Sequence, residues 1–199
     1  MAILIEGISV VVRRAAVAQT YPGGWDAFLD AVPAQRFCAD DELACVGFDT
    51  TEEAEEFCTA LAESGLRFSD GEEGDAGEEA DVAVVDQFDG VILPASWLEC
   101  ARLDFDAEGH EIVVGWIYEG PHIPGEIHLE EDEIEVAIPD GWEYETSLSA
   151  TARFIPEDEL DERLEFLRHD AHGFDVYRDR TTGEELYAQC DHGEAEPED

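Results

Sequence analysis

The hydrophobic pattern is densest near the start of the chain. Residues 3–12, ILIEGISVVV, are β-branched and almost continuously apolar, which predicts one strand that is buried on both faces. Residues 13–19 and 25–32 are expected to be helical, and the intervening Tyr-Pro-Gly-Gly segment separates them. A buried strand followed by two short helices therefore opens the predicted fold.

The next segments extend this module. Residues 42–48 predict a second strand, and residues 50–64 predict a helix because Thr50 and Glu53 form a capping-box pattern at its start. The helix presents one apolar stripe, formed by Ala54, Phe57, Cys58 and Leu61. With an extended course over 66–68, residues 1–68 give a β-α-β-α-β order, which resembles ferredoxin-like modules at the level of element order.

The second half of the chain has the hydrophobic pattern of a sheet with one solvent-exposed face. Residues 69–80 are only small or acidic and predict a flexible loop or linker. Beyond it, residues 81–189 are expected to be rich in strands and able to form a single domain with 1–68, and residues 190–199 to be a disordered acidic tail. The elements predicted there are strands at 81–88, 126–129 and 133–138, hairpins at 98–105 with 111–118 and at 174–178 with 185–189, and an amphipathic helix at 156–168 bearing Leu160, Leu164 and Leu167. The fold class predicted is α+β, with a mixed or antiparallel sheet and about three helices.

Charge changes the picture of the surface. The 199 residues include 52 Asp or Glu and 10 Arg but no Lys, for a formal net charge of −42. This composition resembles that of cytoplasmic proteins of haloarchaea. Such a charge would destabilise a compact state in dilute buffer, whereas molar salt shortens the screening length to about 3 Å. We therefore expect a halophilic, cytoplasmic protein; the alternative is an acidic decoy or chaperone that binds basic proteins.

Several partners and compartments are disfavoured by the same residues. Nucleic-acid binding needs clustered cations, which this chain lacks. No stretch approaches the roughly 20 apolar residues that cross a bilayer. The apolar start contains Glu6 and precedes its arginines, which is the reverse of a secretory signal. We therefore expect neither a nucleic acid nor a membrane among the partners of this protein.

Neither the cysteines nor the catalytic motifs specify an activity. No C-x-x-C spacing occurs, so reduced thiols without a metal or cofactor are expected; a disulfide or zinc site at Cys38 and Cys45 is the alternative. Motifs typical of P-loop, Rossmann, nucleophile-elbow and zincin enzymes are also missing. Whether the chain is an enzyme is left open, with a non-catalytic role favoured.

Four residues are candidates for a ligand site. Arg13 and Arg14 place two of the ten cations together at the end of the most buried predicted strand, where guanidinium groups could clamp an anion. Asp86 is an acid in an apolar strand, and His122 lies in a Gly/Pro-rich segment with a second His and a Glu. The alternatives are an internal ion pair between an arginine and Asp86, and a structural turn at His122.

The acids thin out in the first fifty residues, whose net charge is −4 against −38 for the rest. This part is either buried or covered by a partner. It includes the aromatic turn with Tyr21 and Trp25, which are candidate partner-binding residues. The leading hypothesis is a non-catalytic accessory or protein-interaction protein that contacts a partner, or itself as a homo-oligomer, through the N-terminal region. The alternative is a small enzyme or ligand-binding domain with an anion or metal pocket.

Overall fold

The computed structural model describes residues 1–32, 36–69, 77–105, 110–120, 128, 134–151, 164–169, 174–180, 183 and 185–189. The chain divides into two units, Met1–Ala152 and Arg153–Asp199. The described residues form three longer α-helices, a short fourth one at Leu148–Thr151, and mixed and antiparallel sheets. The predicted α+β class is confirmed.

The first unit is built around a five-stranded antiparallel sheet. Its strands are β2 (Ile8–Arg13), β3 (Phe37–Ala39), β4 (Leu43–Phe48), β5 (Val82–Asp86) and β6 (Gly90–Leu93), in the order β3-β4-β2-β5-β6. Three helices join them: α1 (Arg14–Thr20), α2 (Gly24–Ala31) and α3 (Thr51–Glu63). From β2 to β5 the elements follow the order β-α-α-β-β-α-β, which has one helix more than the β-α-β-β-α-β succession of ferredoxin-like modules.

The three helices cover one face of this sheet because each has one apolar side. The Thr50 hydroxyl accepts a hydrogen bond of 3.3 Å from the Glu53 amide and caps α3, as the capping-box pattern predicts. The side chains buried between helices and sheet include Val10, Val12, Val17, Phe28, Val46 and Leu61. We call this the helix-side core.

A second sheet packs on the opposite face. It has the order β7-β8-β1-β9, from the strands β1 (Ala2–Ile5), β7 (Leu98–Asp104), β8 (Glu111–Ile117) and β9 (Val136–Ala137). β1 pairs antiparallel with β8 and parallel with β9. The buried residues between the two sheets include Ile3, Ile5, Val11, Val85, Trp97 and Val114. This second core makes the described part of the unit a three-layer arrangement of helices, sheet and sheet.

The prediction of one strand over residues 3–12 is wrong. The segment forms two strands in different sheets, β1 and β2, which meet at a corner formed by Glu6 and Gly7. Gly7 has a φ of 61°, and a Cβ atom there would lie 2.7 Å from the carbonyl oxygen of Phe48. A residue without a side chain therefore lets the chain turn from one sheet into the other.

Burial accounts for part of the scarcity of acids in the first fifty residues. All residues of β1 and β4 are buried, and β2 runs through the centre of the five-stranded sheet with its four middle residues buried. A charged side chain at these positions would lose its hydration without gaining a partner. The low charge of these strands thus reflects the core, whereas many residues of α1 and α2 are exposed.

The pairing of β2 with β5 joins the chain on either side of the predicted linker, of which residues 70–76 lie outside the described residues. The hairpin of β7 and β8 forms where the alternation predicts it. Of the strand predicted at 126–129, the structure describes His128 alone. The strand predicted at 133–138 includes β9. The acidic tail predicted at 190–199 lies outside the described residues.

The described part of the second unit is a three-stranded antiparallel sheet of β10 (Leu164–His169), β11 (Phe174–Asp179) and β12 (Glu185–Gln189). The helix predicted over residues 156–168 is wrong for 164–168, which belong to β10; residues 156–163 lie outside the described part. The register shifts between Phe166 and Arg168, so Leu167 is the extra residue of a bulge. Leu164 and Leu167, whose three-residue spacing resembles a helical period, are thus both half-buried residues of a bulged strand.

Candidate functional site

Strand β6 forms an edge of the five-stranded sheet and is unusually apolar for its exposure. Phe88, Val91 and Ile92 are 56, 54 and 50% exposed. Among the residues that the structure describes, no strand pairs with the outer side of β6. We call Phe88, the outer side of β6 and its side chains the β6 edge.

The turn that leads into β6 is fixed by Asp86. Its Oδ1 atom accepts hydrogen bonds of 2.7 Å from the Phe88 amide and 2.9 Å from the Asp89 amide. Gly90 follows with a φ of 87°, a conformation that favours glycine. Asp86, a ligand-site candidate in the sequence, therefore shapes the turn that presents Phe88.

The other end of β6 is held by the loop that precedes β5. The Ser96 amide donates to the Gly77 carbonyl at 3.2 Å, and the indole N–H of Trp97 donates to the Ala80 carbonyl at 2.7 Å. A Cβ atom at Gly77 would clash with the Pro94 carbonyl, so glycine permits this close approach. Both ends of the β6 edge are thus tied to the fold.

A cavity of about 230 Å³ forms the second feature of the first unit. Residues of segment 139–148 form part of its lining, and Asp140 and Gly141 among them are exposed. Cys38 on β3 and Cys45 on β4 also line it. The lining of the cavity therefore includes an exposed acid and two cysteines.

Glu6 fixes one side of this cavity. Its carboxylate accepts hydrogen bonds from the Trp142 indole at 3.1 Å and from the Ser149 amide and hydroxyl at 3.0 and 2.9 Å. Gln87 extends the network, because its Nε2 donates to the Ser149 hydroxyl at 3.0 Å and its Oε1 accepts from the Gly7 amide at 3.0 Å. These partners explain why an acid occurs within the apolar start of the chain.

Three cysteines have pKa values above those of ordinary exposed cysteines. A hydrogen bond shared with Cys45, together with burial, raises the pKa of Cys38 far above its usual range. Burial, with a smaller effect of Glu55, raises the pKa of Cys58 to about 11. Burial likewise raises the pKa of Cys100 to about 12, with Glu99 adding to the effect. All three are expected to be thiols at neutral pH.

The two adjacent arginines contact different cores. The Arg14 guanidinium lies 4.4 Å from the ring centroid of Trp25 and donates to the Asp40 carbonyl. The Arg13 guanidinium lies 4.9 Å from the ring centroid of Trp97 and pairs with Glu119 at 3.0 Å. Each arginine is thus stacked on a tryptophan and bound to an acceptor of the fold.

The ligand-site candidates that the structure describes do not all come together. Asp86 is opposite Ile8 at the start of β2, whereas Arg13 ends that strand. At about 3.3 Å per residue, the five steps between Ile8 and Arg13 separate the two ends by roughly 16 Å. His122 lies outside the described residues.

The predicted partner-binding aromatics are half-buried. The Tyr21 ring packs edge-on against Phe28 at 5.6 Å between centroids, and the Trp25 ring stacks on Phe28 at 5.4 Å. One face of Trp25 is also covered by Arg14. Both rings are part of the helix-side core, and their role in binding a partner stays a prediction.

His128, the other histidine of the segment that contains His122, has partners within the first unit. Its Nδ1 lies 3.0 Å from a carboxylate oxygen of Glu99, and its ring stacks on Tyr118 at 4.1 Å between centroids. Within the described ranges, no group of three or more His, Cys, Asp and Glu side chains is arranged to hold a metal ion.

The β6 edge could have been found in the sequence from the absence of charged residues, which the hydrophobic pattern alone does not show. Residues 90–98, GVILPASWL, include no charged side chain, although acids are frequent throughout residues 51–199. An acid-free stretch in such a chain indicates either a core or a contact surface. Val91 and Ile92 occupy such a stretch but are exposed.

In the parts of the chain with described structure, every helix is too short or too polar to span a bilayer. The chain matches no protein-family model, no curated protein and no solved structure.

Proposed function

We propose that this chain is a salt-adapted, non-catalytic interaction protein that binds an extended segment of a partner protein along the β6 edge. The observation that carries the proposal is the half exposure of Val91 and Ile92 on β6, and of Phe88 in the turn before it, at an edge that no described strand covers. An added strand would pair with the backbone groups on the outer side of β6 and pack against these side chains, which is the mode of β-augmentation.

The apolar contacts would contribute a useful share of the binding free energy. Full burial of one large aliphatic or aromatic side chain is worth about 1.5–3 kcal/mol, so covering three half-exposed ones contributes roughly 3 kcal/mol. Main-chain hydrogen bonds add to this and fix the register of the partner strand. Because hydrogen bonds hold both ends of β6 in place, the strand loses less conformational entropy when a partner binds.

The composition favours this type of contact. In molar salt, charges more than about 3 Å apart are largely screened, so long-range attraction cannot bring partners together. Hydrophobic contacts and backbone hydrogen bonds do not depend on such attraction. An uncharged strand between Asp89 and Glu99 is therefore a suitable docking surface for a protein with a net charge of −42.

The occupant we propose is a segment of a different protein with apolar side chains, rather than a second copy of this chain. Two copies would each bring a net charge of −42 to the contact. At low salt this like charge opposes association, and in molar salt acids that lie within a few ångströms of one another across such a contact would still repel. A less acidic partner avoids that repulsion.

The substitution Ile92→Asp tests the surface, and Leu29→Asp is its matched control because Leu29 is an exposed apolar residue on α2, 38% exposed. Each variant and the unaltered chain would be used as bait in lysate kept in molar KCl. We expect the unaltered chain and Leu29→Asp to retain the same partner and Ile92→Asp to lose it. Equal retention by both variants would contradict the proposal.

Hydrogen exchange then locates the contact. With the purified partner added, amides of residues 88–93 should exchange more slowly, while those of α2 should be unchanged. Protection elsewhere but not in 88–93 would overturn the proposed surface. A concentration-dependent dimer of the isolated chain that Ile92→Asp abolishes would assign the β6 edge to a second copy instead.

A further inference from the structure

Cys38 and Cys45 face each other directly across the β3-β4 hairpin. They are register partners in the antiparallel pair. Both are free thiols, 4% and 2% exposed. Two sulfur atoms are therefore adjacent in the folded protein without a covalent bond between them.

The spacing of this pair suits a disulfide. Opposed residues of antiparallel strands have Cα atoms about 4.5–5.5 Å apart, and disulfides span Cα distances of about 4.4–6.8 Å. Neither strand would have to move far for the bond to form. Cys100, by contrast, faces Gly115 across its pair of strands and has no sulfur opposite it.

The pair can be reached by a small molecule although it is buried from bulk solvent. Both thiols line the cavity of about 230 Å³, together with Leu4, Ser9 and Trp142. The Cys38 sulfur also contacts the Leu4 carbonyl at 3.9 Å, which holds it at the cavity wall. A volume of this size admits a compact organic disulfide but excludes a protein.

We propose that Cys38 and Cys45 form a reversible oxidation site, in which a low-molecular-weight disulfide enters the cavity and converts the two thiols to an intramolecular disulfide. This site is independent of the β6 edge and of the partner proposed there. Its chemical substrate class is the small organic disulfide, RSSR.

The reaction proceeds in two balanced exchanges. Cys45 attacks first, because its hydrogen bond with Cys38 raises the pKa of Cys38 far above its usual range. The Cys45 thiol loses its proton and its sulfur attacks one sulfur of RSSR; the S–S bond breaks, and the leaving RS⁻ takes up a proton as RSH. The mixed disulfide at Cys45 removes that hydrogen bond, so Cys38 can lose its proton and attack the Cys45 sulfur, which expels the other RS⁻ as a second RSH. The protein pair loses two electrons and two protons, and RSSR gains them.

The test uses the full chain in molar KCl with bis(2-hydroxyethyl) disulfide as the oxidant. Cleavage after glutamate separates Cys38, in peptide 7–42, from Cys45, in peptide 43–52. We expect mass spectrometry to find these two peptides cross-linked in the unaltered chain, and a thiol reductant to separate them. Far-ultraviolet circular dichroism during the reaction verifies that the protein stays folded.

Single variants distinguish the proposed resolving step from ordinary thiol reactivity. Cys38→Ser and Cys45→Ser should each keep a hydroxyethyl mixed disulfide on the remaining cysteine, because no neighbouring thiol can expel it. Cys100→Ser should cross-link like the unaltered chain. A cross-link that forms only after denaturation would overturn the proposal, as would a lasting mixed disulfide at Cys38 or Cys45 in the unaltered folded chain.

Discussion

The Trp142 indole donates a hydrogen bond of 3.1 Å to the carboxylate of Glu6, which lies 136 residues earlier in the chain. The same carboxylate accepts two hydrogen bonds from Ser149. Three donors from segment 139–151 thus converge on the corner between β1 and β2. The contact fastens that segment to the place where the chain changes sheets.

Substitution of Glu6 should therefore be costly. Glu6→Ala leaves three donors without an acceptor, and we expect the free energy of unfolding to fall by about 3 kcal/mol. Urea denaturation in molar KCl measures the change. Glu145→Ala, at an exposed acid of the same segment, is the control and should stay within about 0.5 kcal/mol of the unaltered chain. Equal midpoints for the two variants would contradict this role of Glu6.

The corner glycine gives a second prediction. Gly7→Ala combines a positive φ with a Cβ atom 2.7 Å from the Phe48 carbonyl oxygen, whereas Gly141, with a φ of 76°, has no atom within 4 Å of an added Cβ. We expect Gly141→Ala to lose about 1 kcal/mol and Gly7→Ala at least about 2 kcal/mol more, from strain and steric overlap. The difference between their denaturation midpoints is the measurement, and its absence would argue against a tight corner.

Asp81 links stability to pH. Burial raises the pKa of Asp81, but the hydrogen bonds and charge of Arg67 outweigh burial, so its net pKa lies below the ordinary value. Arg67 Nε and Nη2 donate to the two carboxylate oxygens at 2.9 and 3.0 Å. A lowered pKa of an acid stabilises the fold above the unfolded pKa of about 3.9, and this stabilisation disappears as pH falls through the folded pKa.

The expected result is a smaller acid-induced loss of stability in Arg67→Gln than in the unaltered chain, as pH is lowered from 6 to 3. Denaturant midpoints at each pH, at constant ionic strength, provide the comparison. Asp81→Asn and the double variant complete a mutant cycle that separates this pair from the other acids. A pH-independent coupling in the cycle would refute the assignment.

The charge predicts a strong dependence of stability on salt. Raising KCl from about 0.1 M to about 1 M shortens the screening length from about 10 to 3 Å, which weakens repulsion among the 52 acids. We expect the thermal midpoint, followed by circular dichroism, to rise steadily over this range. A midpoint independent of KCl and NaCl would refute the inference of salt adaptation.

Local patterns predicted much of the first unit. Thr50 and Glu53 identified the start of α3, and the break at Pro22 and Gly23 separated α1 from α2, because caps and turns depend on nearby residues. The hairpin of β7 and β8 was also accessible from alternation.

Features that depend on distant residues were not accessible. The division of residues 3–12 requires two sheets to be in place, and the bulge at Leu167 depends on its pairing with β11. The same holds for the candidate sites: Cys38 faces Cys45 because of the hairpin register, and β6 is exposed because no described strand follows it in the sheet. The sequence contains these residues but does not indicate which of them lie next to each other in the fold.

The placement of β1 between β8 and β9 has a consequence for how the protein folds. Ile3 pairs with Gly115 and Ala137, more than a hundred residues away. Such distant pairing slows folding, because the entropy of closing a long loop is lost before the contacts form. Until β8 is available, the wholly apolar strand β1 has no sheet to join, and the risk of aggregation during synthesis is concentrated there.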